Sequence, residues 1–357
     1  MLSFLFLISI LPNAYANDSE RVDKISNLCG VDGKGSAIDK ESYVKIGGIE
    51  QWVTIKGDSC DNPVVLFIHG GPGNTLSPYS ENLYGKWKSE FTLVQWDQRG
   101  SGKTFEANQE QGLTIEKMSR IKLNLNLMIQ DGLELTHYLQ KTLSKEKIII
   151  TGGSWGSVLA AKMITAQPES YHFYVGFSQL VNYERNLSKS YDAVLDKAKN
   201  FDDLEVIKIL TALGRPPWED VKSFGQLRRV IRKYESLASD GGLEWLIASE
   251  YTSTKSRAAY YAGEELSFMK FIGFKSRGMS MDISLDMDNT NFEVPIYLIQ
   301  GDEDLLTLPA VTEEYFNKIN APFKKLILVN RAGHDPNQLI IEAQLEALKS
   351  GIKKPGF

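Results

Sequence analysis

Apolar residues recur along this chain in two rhythms. Short, largely apolar runs rich in β-branched and aromatic residues stand at Val64–Ile68, Phe91–Trp96, Lys147–Thr151, Phe173–Phe177, Pro295–Gln300 and Lys325–Val329. They are too short for helices and scarcely alternate, which predicts strands buried on both faces of a parallel sheet. Between them lie stretches with helical spacing, such as Met128 to Leu139 and Ser157 to Met163. The alternation predicts an α/β fold with a mostly parallel central sheet flanked by helices. From about Val181 to Asn291 the strand rhythm gives way to helix-like stretches, Tyr191 to Lys199, Phe224 to Ser239 and Gly263 to Phe271. That block predicts a helical cap, residues 181–290, inserted between the sixth and seventh strands of a core made of residues 17–180 and 291–357.

The first residues differ in character. Leu2 to Leu11 are apolar, then Pro12-Asn13-Ala14-Tyr15-Ala16 leads into polar sequence. This is the shape of a secretory signal peptide, residues 1–16, cleaved after Ala16, with an uncleaved anchor as the alternative. The run is too short to span a bilayer. It predicts an exported protein, periplasmic or secreted, with no integral membrane span once the signal is removed. Cys29 and Cys60 fit that destination, because two cysteines in an oxidising compartment can pair; two free buried thiols are the alternative. The chain has 357 residues, 42% of them hydrophobic, which is enough for a substantial core. A formal net charge of -5 gives nucleic-acid binding no support. The cluster Arg228-Arg229-Arg232-Lys233 reads as a solvated helix face.

Chemistry enters at Gly152-Gly153-Ser154-Trp155-Gly156, between the strand at Lys147–Thr151 and the helix from Ser157. A G-x-S-x-G in that position is a nucleophile elbow, a turn tight enough to demand small flanking residues. A serine hydroxyl needs a base, and the chain has four histidines, His69, His137, His172 and His334. His334 follows the strand Lys325–Val329, on a loop at a strand's C-terminal end, where open α/β sheets place their chemistry. His137 falls on an amphipathic helix and His172 has no motif around it. A carboxylate to orient the imidazole is supplied by the turn Gly301-Asp302-Glu303-Asp304 after the strand Pro295–Gln300. The chain order Ser, Asp, His is that of α/β-hydrolases. Oxyanion donors are expected from the N–H groups of Trp155, after the nucleophile, and Gly71, in the glycine-rich loop after Val64–Ile68. His69 then braces that loop. No second His or Cys stands near it at ligand spacing, so no metal and no cofactor is expected.

Taken together, His69-Gly70-Gly71-Pro72-Gly73, Trp96-Asp97-Gln98-Arg99-Gly100-Ser101-Gly102, Gly152-Gly153-Ser154-Trp155-Gly156 and Gly333-His334 resemble the proline iminopeptidase family of α/β-hydrolases. The resemblance covers the catalytic core, roughly Tyr43 to Leu180 and Phe292 onwards. It implies Asp304 rather than Asp302 as the acid, since relatives commonly place it three residues after the glycine. It also implies that Asp97 and Arg99 brace the oxyanion loop, and that cap acids bind the free amine of a peptide. Glu250, Glu264 and Glu265 are the candidates, near Trp245, Tyr251, Tyr260, Tyr261 and Phe268, an apolar wall for a proline-like ring. The expected activity is a serine hydrolase that removes an N-terminal residue, preferentially proline, from short peptides through an acyl-enzyme. A small-molecule esterase or amidase with the same triad is the alternative.

Overall fold

The computed structural model describes residues 28–29, 35–109, 113–218, 220–274 and 277–354. The expected signal segment, residues 1–16, lies outside them. Eight strands form one sheet: β1 (Ile38–Ile46), β2 (Ile49–Gly57), β3 (Val64–Ile68), β4 (Thr92–Trp96), β5 (Ile148–Ser154), β6 (Tyr171–Gln179), β7 (Ile296–Gly301) and β8 (Lys324–Val329). Their spatial order is β1-β2-β4-β3-β5-β6-β7-β8. β2 runs antiparallel to β1 and β4, and every other pairing is parallel.

The central strands owe their place to composition. β3, β4 and β7 are buried at every position, as the unbroken apolar runs require of a sheet covered on both faces. β8 departs from that expectation. It is an edge strand with only Val329 buried and Leu328 half exposed, and Lys324 and Lys325 on it keep the open edge charged.

The helices of the core before the cap are α1 (Ser80–Tyr84), α2 (Gly102–Asn108), α3 (Ile115–Arg120), α4 (Leu125–Leu143) and α5 (Trp155–Ala166). α4 begins at Asn124, whose side chain accepts from the Leu127 N–H, the usual satisfaction of a first-turn donor. α5 is buried along nearly its whole length and packs on β5 and β6. Between β6 and β7 the chain leaves the sheet to form α6 (Tyr183–Asn200), α7 (Leu204–Leu213), α8 (Val221–Ala238), α9 (Thr254–Ile272) and α10 (Leu285–Asp288). α11 (Pro309–Lys318) and α12 (Gln338–Ile352) follow β7 and β8. The inserted helices bury one face each: α8 buries Leu227, Val230, Ile231 and Tyr234, positions three and four apart on one side of a helix.

Cys29 and Cys60 are joined in a disulfide with Cα atoms 5.7 Å apart and a sequence separation of 31. It ties the segment before β1 to the turn before β3. For a loop of that length the chain-entropy model gives about 3 to 4 kcal/mol. Cys60→Ser, or reduction with a strong dithiol, is therefore expected to lower unfolding stability by about that amount in a denaturant titration; an unchanged midpoint would remove the bridge from the account of stability.

Candidate active site

The loops at the C-terminal ends of β3, β5, β7 and β8 meet over one end of the sheet. β5 runs directly into α5, and the single residue at the join, Ser154, takes φ 53° and ψ -123°. A side chain in that region of backbone space costs of order 1–3 kcal/mol, and it lifts the hydroxyl clear of the strand. The small neighbours are required by contact. A Cβ on Gly156 would strike the Ile68 carbonyl oxygen, and one on Gly152 the carbonyl oxygen of Gly156. Both obstacles are backbone, so neither turn residue has room to become alanine.

His334 reaches the serine from the loop after β8, with Nε2 3.1 Å from Ser154 Oγ. Its other nitrogen, Nδ1, is 3.0 Å from Asp304 Oδ2 and 3.2 Å from Oδ1. With Nδ1–H given to that carboxylate, the Nε2 lone pair faces the serine hydroxyl, the tautomer a general base needs. Asp304 is fully buried and held from several sides. It accepts from the N–H groups of Leu306 at 2.9 Å and Thr307 at 2.7 Å, from Thr307 Oγ1 at 2.6 Å and from Gln300 Nε2 at 3.1 Å. Asp302 is exposed. Of the acids in the turn, it is thus Asp304 that meets the imidazole.

The electrostatics follow from this packing. Burial alone would raise the Asp304 carboxyl, but the adjoining imidazole and the Thr307 donors outweigh it and hold Asp304 below the usual carboxylate range. Burial likewise pushes His334 down, and the Asp304 charge and hydrogen bond reverse that, leaving it above 6.5. Because a base must be unprotonated to act, kcat/KM is expected to rise with pH through an apparent pKa above 6.5, and Asp304→Asn should move that limb to lower pH. A pH profile flat between about 5 and 8 would contradict the arrangement.

Gly71 and Trp155, the expected oxyanion donors, both stand next to the serine. Gly71 takes φ 107°, open to glycine and strained for anything else. Trp155 is the first residue of α5, so its N–H has no acceptor within the helix. Both residues adjoin Ser154, Gly71 as a wall of the cavities beside it. His69, fully buried, is driven down to about 4 by burial, only partly offset by its hydrogen bond to the Gly70 carbonyl. It is a neutral brace: Nδ1 lies 3.0 Å from Gly70 O, and Nε2 accepts from the Gln98 N–H at 3.2 Å.

Gln98 is the residue that sequence reasoning passes over in that region. Its amide donates to His69 O at 2.9 Å and accepts from Trp155 Nε1 at 3.0 Å, tying the oxyanion loop to the elbow helix. Asp97 supports the stretch just beyond the loop, accepting from Ser77 Oγ at 2.5 Å and the Lys103 N–H at 2.9 Å. Arg99 does not join them. It forms a two-pronged pair with Asp131 at 2.7 and 2.9 Å and donates to Gly47 O, so it anchors α4 to the β1–β2 turn instead of bracing the oxyanion loop.

A cavity of about 800 Å³ opens over Ser154 and His334, roofed by α8 and α9. Residues 60–338 match the profile of the serine aminopeptidase family, S33. The chain belongs to that family of α/β-hydrolases. It is 26% identical over 317 residues to the probable aminopeptidase YbaC of Bacillus subtilis, covering 85% of this chain and 92% of the relative. It is also 26% identical over 325 residues to a proline iminopeptidase of Lactobacillus delbrueckii subsp. bulgaricus, covering 83% and 92%. Among solved structures it is similar to a proline iminopeptidase of Mycobacterium smegmatis, with TM-score 0.54 and 15% identity over 88% of this chain and 96% of that one. A proline iminopeptidase-related protein of Thermus thermophilus superposes equally well, with TM-score 0.54 and 19% identity over 88% and 98%. These structural likenesses speak to the fold.

Within this S33 site the cap candidates separate. Glu264 is half-buried in the cavity wall and accepts from Asn74 Nδ2 of the oxyanion loop at 2.7 Å. Glu265 also lines the cavity and is exposed. Glu250 does not belong with them: it is exposed, lies outside the cavity wall, and its charge acts on Lys56 of β2. Trp245, Tyr260, Tyr261 and Phe268 line the cavity. Tyr251 does not; it is buried, accepts from Trp52 Nε1 at 3.0 Å and lines a separate cavity of about 80 Å³ with Asp97 and Lys103. His137 is exposed on α4, and His172 sits at the start of β6, whereas Ser154 pairs with Gln179 at its end.

The basic cluster on α8 is a solvated face at Arg229, Arg232 and Lys233, which are exposed, and only Arg228 is largely covered. Arg228, Arg229 and Arg232 line the cavity, while Lys233 pairs with Asp203 at 2.5 Å elsewhere. Glu235, one turn on, is a site residue that the motifs do not announce. Its Oε1 accepts from the N–H groups of Leu305 at 2.9 Å and His334 at 3.3 Å, and its Oε2 is 3.4 Å from Arg228 Nη1. Burial, then the Asp304 charge, raise its carboxyl against the pull of Arg228. One cap carboxylate thus pins both the acid turn and the histidine loop. Its signal lies in the sequence: Glu235 stands four residues after Ile231 and eight after Leu227, on the apolar stripe of α8.

Proposed function

We propose that this chain is a serine aminopeptidase that releases an N-terminal residue, preferentially proline, from short peptides. The observation that carries the reading is the unbroken relay from Asp304 through His334 to Ser154, with contacts of 3.0 and 3.1 Å, at the base of a roofed cavity. Ser154 Oγ attacks the carbonyl carbon of the first residue while His334 Nε2 takes the hydroxyl proton. The Gly71 and Trp155 N–H groups stabilise the oxyanion of the tetrahedral intermediate. His334 then returns the proton to the departing amine, leaving the residue as an ester on Ser154, and water, deprotonated by the same imidazole, releases it.

Specificity for a free N-terminus is assigned to Glu264, with Glu265 beside it. Glu264 sits against the oxyanion loop through Asn74, on the side of the cavity where the amine of the same residue whose carbonyl is attacked would lie. Trp245, Tyr260 and Phe268 give the ring of proline apolar surface. The names of the relatives, aminopeptidase and proline iminopeptidase, agree with this choice. Export is part of the proposal, supported by the amino-terminal apolar run and the Cys29–Cys60 bridge.

Proline arylamide, its N-acetyl derivative and a simple aryl ester test the reading together. The expected order is rapid turnover of the free proline amide and at least about a hundredfold loss on acetylation, as the half-buried Glu264 carboxylate loses its charged partner. Brisk ester turnover with no amide turnover would favour an esterase and end the peptidase assignment.

A further inference from the structure

α8 divides its faces between core and cavity. Leu227, Val230, Ile231 and Tyr234 are buried, while Arg228 and the exposed Arg229 and Arg232 line the cavity that holds Ser154 and His334, on the other side of the helix. The same cavity receives Glu264 and Glu265 from α9. It therefore carries an acidic and a basic pole on two different cap helices.

The three guanidinium groups are not equivalent. Arg228 is mostly buried and already matched, 2.6 Å from Asp335 Oδ1 and 3.4 Å from Glu235 Oε2. Arg232 reaches the other oxygen of Asp335 at 3.3 Å, on an aspartate whose side chain is half exposed. Arg229 lies in the cavity wall, and among the described residues its side chain makes no ion pair or hydrogen bond. One exposed cation of the basic pole is thus unmatched in the wall of the cavity that holds Ser154 and His334.

We propose that Arg229, with Arg232 beside it on the same helix face, binds the C-terminal carboxylate of a di- or tripeptide substrate. This rests on the aminopeptidase reading and names its substrate class. An extended chain advances about 3.5 Å per residue, so the carboxylate of a di- or tripeptide lies within about 10 Å of the bond being broken, inside a cavity of about 800 Å³. A guanidinium offers a planar pair of donors matched to a carboxylate. With the amine held at Glu264 and the carboxylate at Arg229, the cavity recognises a short zwitterion by both ends.

The test compares kcat/KM for Pro-Ala, Pro-Ala amide and Pro-Glu amide, with proline arylamide as the reference substrate, in the wild-type protein and in Arg229→Gln and Arg229→Lys. The wild type is expected to prefer Pro-Ala over its amide about tenfold, the scale of one charged hydrogen-bonded contact at a partly exposed site. In Arg229→Gln that ratio should fall below about twofold, and Arg229→Lys should keep part of it. Pro-Glu amide should behave as the neutral amide. A wild-type ratio near one, or a ratio unchanged in Arg229→Gln, overturns the proposal while proline arylamide turnover leaves the aminopeptidase reading standing. Pro-Glu amide cleaved as fast as Pro-Ala overturns the choice of the C-terminal carboxylate. Failure to cleave any proline substrate overturns both readings.

Discussion

Ser154→Ala is expected to lower kcat about a million-fold with the thermal transition little changed. The size of the loss follows from what the hydroxyl does and from how little else depends on it. Ser154 Oγ contacts His334 Nε2 at the cavity wall, so removing it leaves an imidazole nitrogen facing the cavity rather than a buried orphan. The backbone demand at φ 53° is the same for alanine as for serine, and the elbow keeps its geometry because Gly152 and Gly156 supply the clearance. The remaining rate enhancement would come from the oxyanion donors and substrate binding alone. Stopped assays on proline arylamide with a calorimetric scan of the same sample check both halves. Retained hydrolysis would remove Ser154 from the mechanism.

The second large effect separates two neighbours in one turn. Asp304→Asn is expected to lower kcat about ten-thousand-fold, whereas Asp302→Asn should stay within about threefold of wild type. Asp304 accepts from two backbone N–H groups, the Thr307 hydroxyl and Gln300, in addition to His334. An amide at that position has one acceptor oxygen where the carboxylate has two. It must then either turn its NH2 toward backbone donors or present it to His334 Nδ1, which selects the tautomer with Nε2 protonated and unable to act as base. Asp302 is exposed and makes none of these contacts. If Asp302→Asn alone abolished turnover, the assignment of the acid would be wrong.

The core is legible in the sequence because its strands are buried on both faces, and nothing but an unbroken apolar run satisfies that environment. β3, β5 and β7 announce themselves for this reason, and the chemistry sits at their ends. The elbow is legible because close backbone approach excludes side chains at Gly152 and Gly156, so the constraint is written in residue identity. β8 reads as buried, although it lies at the sheet edge, because Leu326, Ile327 and Leu328 do not say which neighbours they have.

The cap is harder for a different reason. Which face of α8 meets the cavity depends on how that helix docks, and Arg228, Arg229 and Arg232 look the same in sequence whether they meet water or a substrate. Glu250 and Tyr251 stand close to the right residues along the chain and do not line the cavity. Glu235 is concealed by its own type, since a carboxylate on an apolar stripe reads as a boundary residue until Leu305 and His334 are seen donating to it. Arg99 points to the wrong brace because its partner, Asp131, is distant in sequence and carries no motif. Gln98 beside it, carrying no charge, makes the brace expected of its neighbours.

In the proposed reaction Ser154, activated by His334, forms a covalent bond to the substrate's acyl carbon. Treatment with a proline diphenyl phosphonate, followed by intact and peptide mass measurement, tests it most directly. A single adduct is expected on the peptide containing Ser154, formed by the wild-type protein and lost in Ser154→Ala and His334→Gln. An adduct on another residue, or none on a protein that hydrolyses proline arylamide, would contradict it.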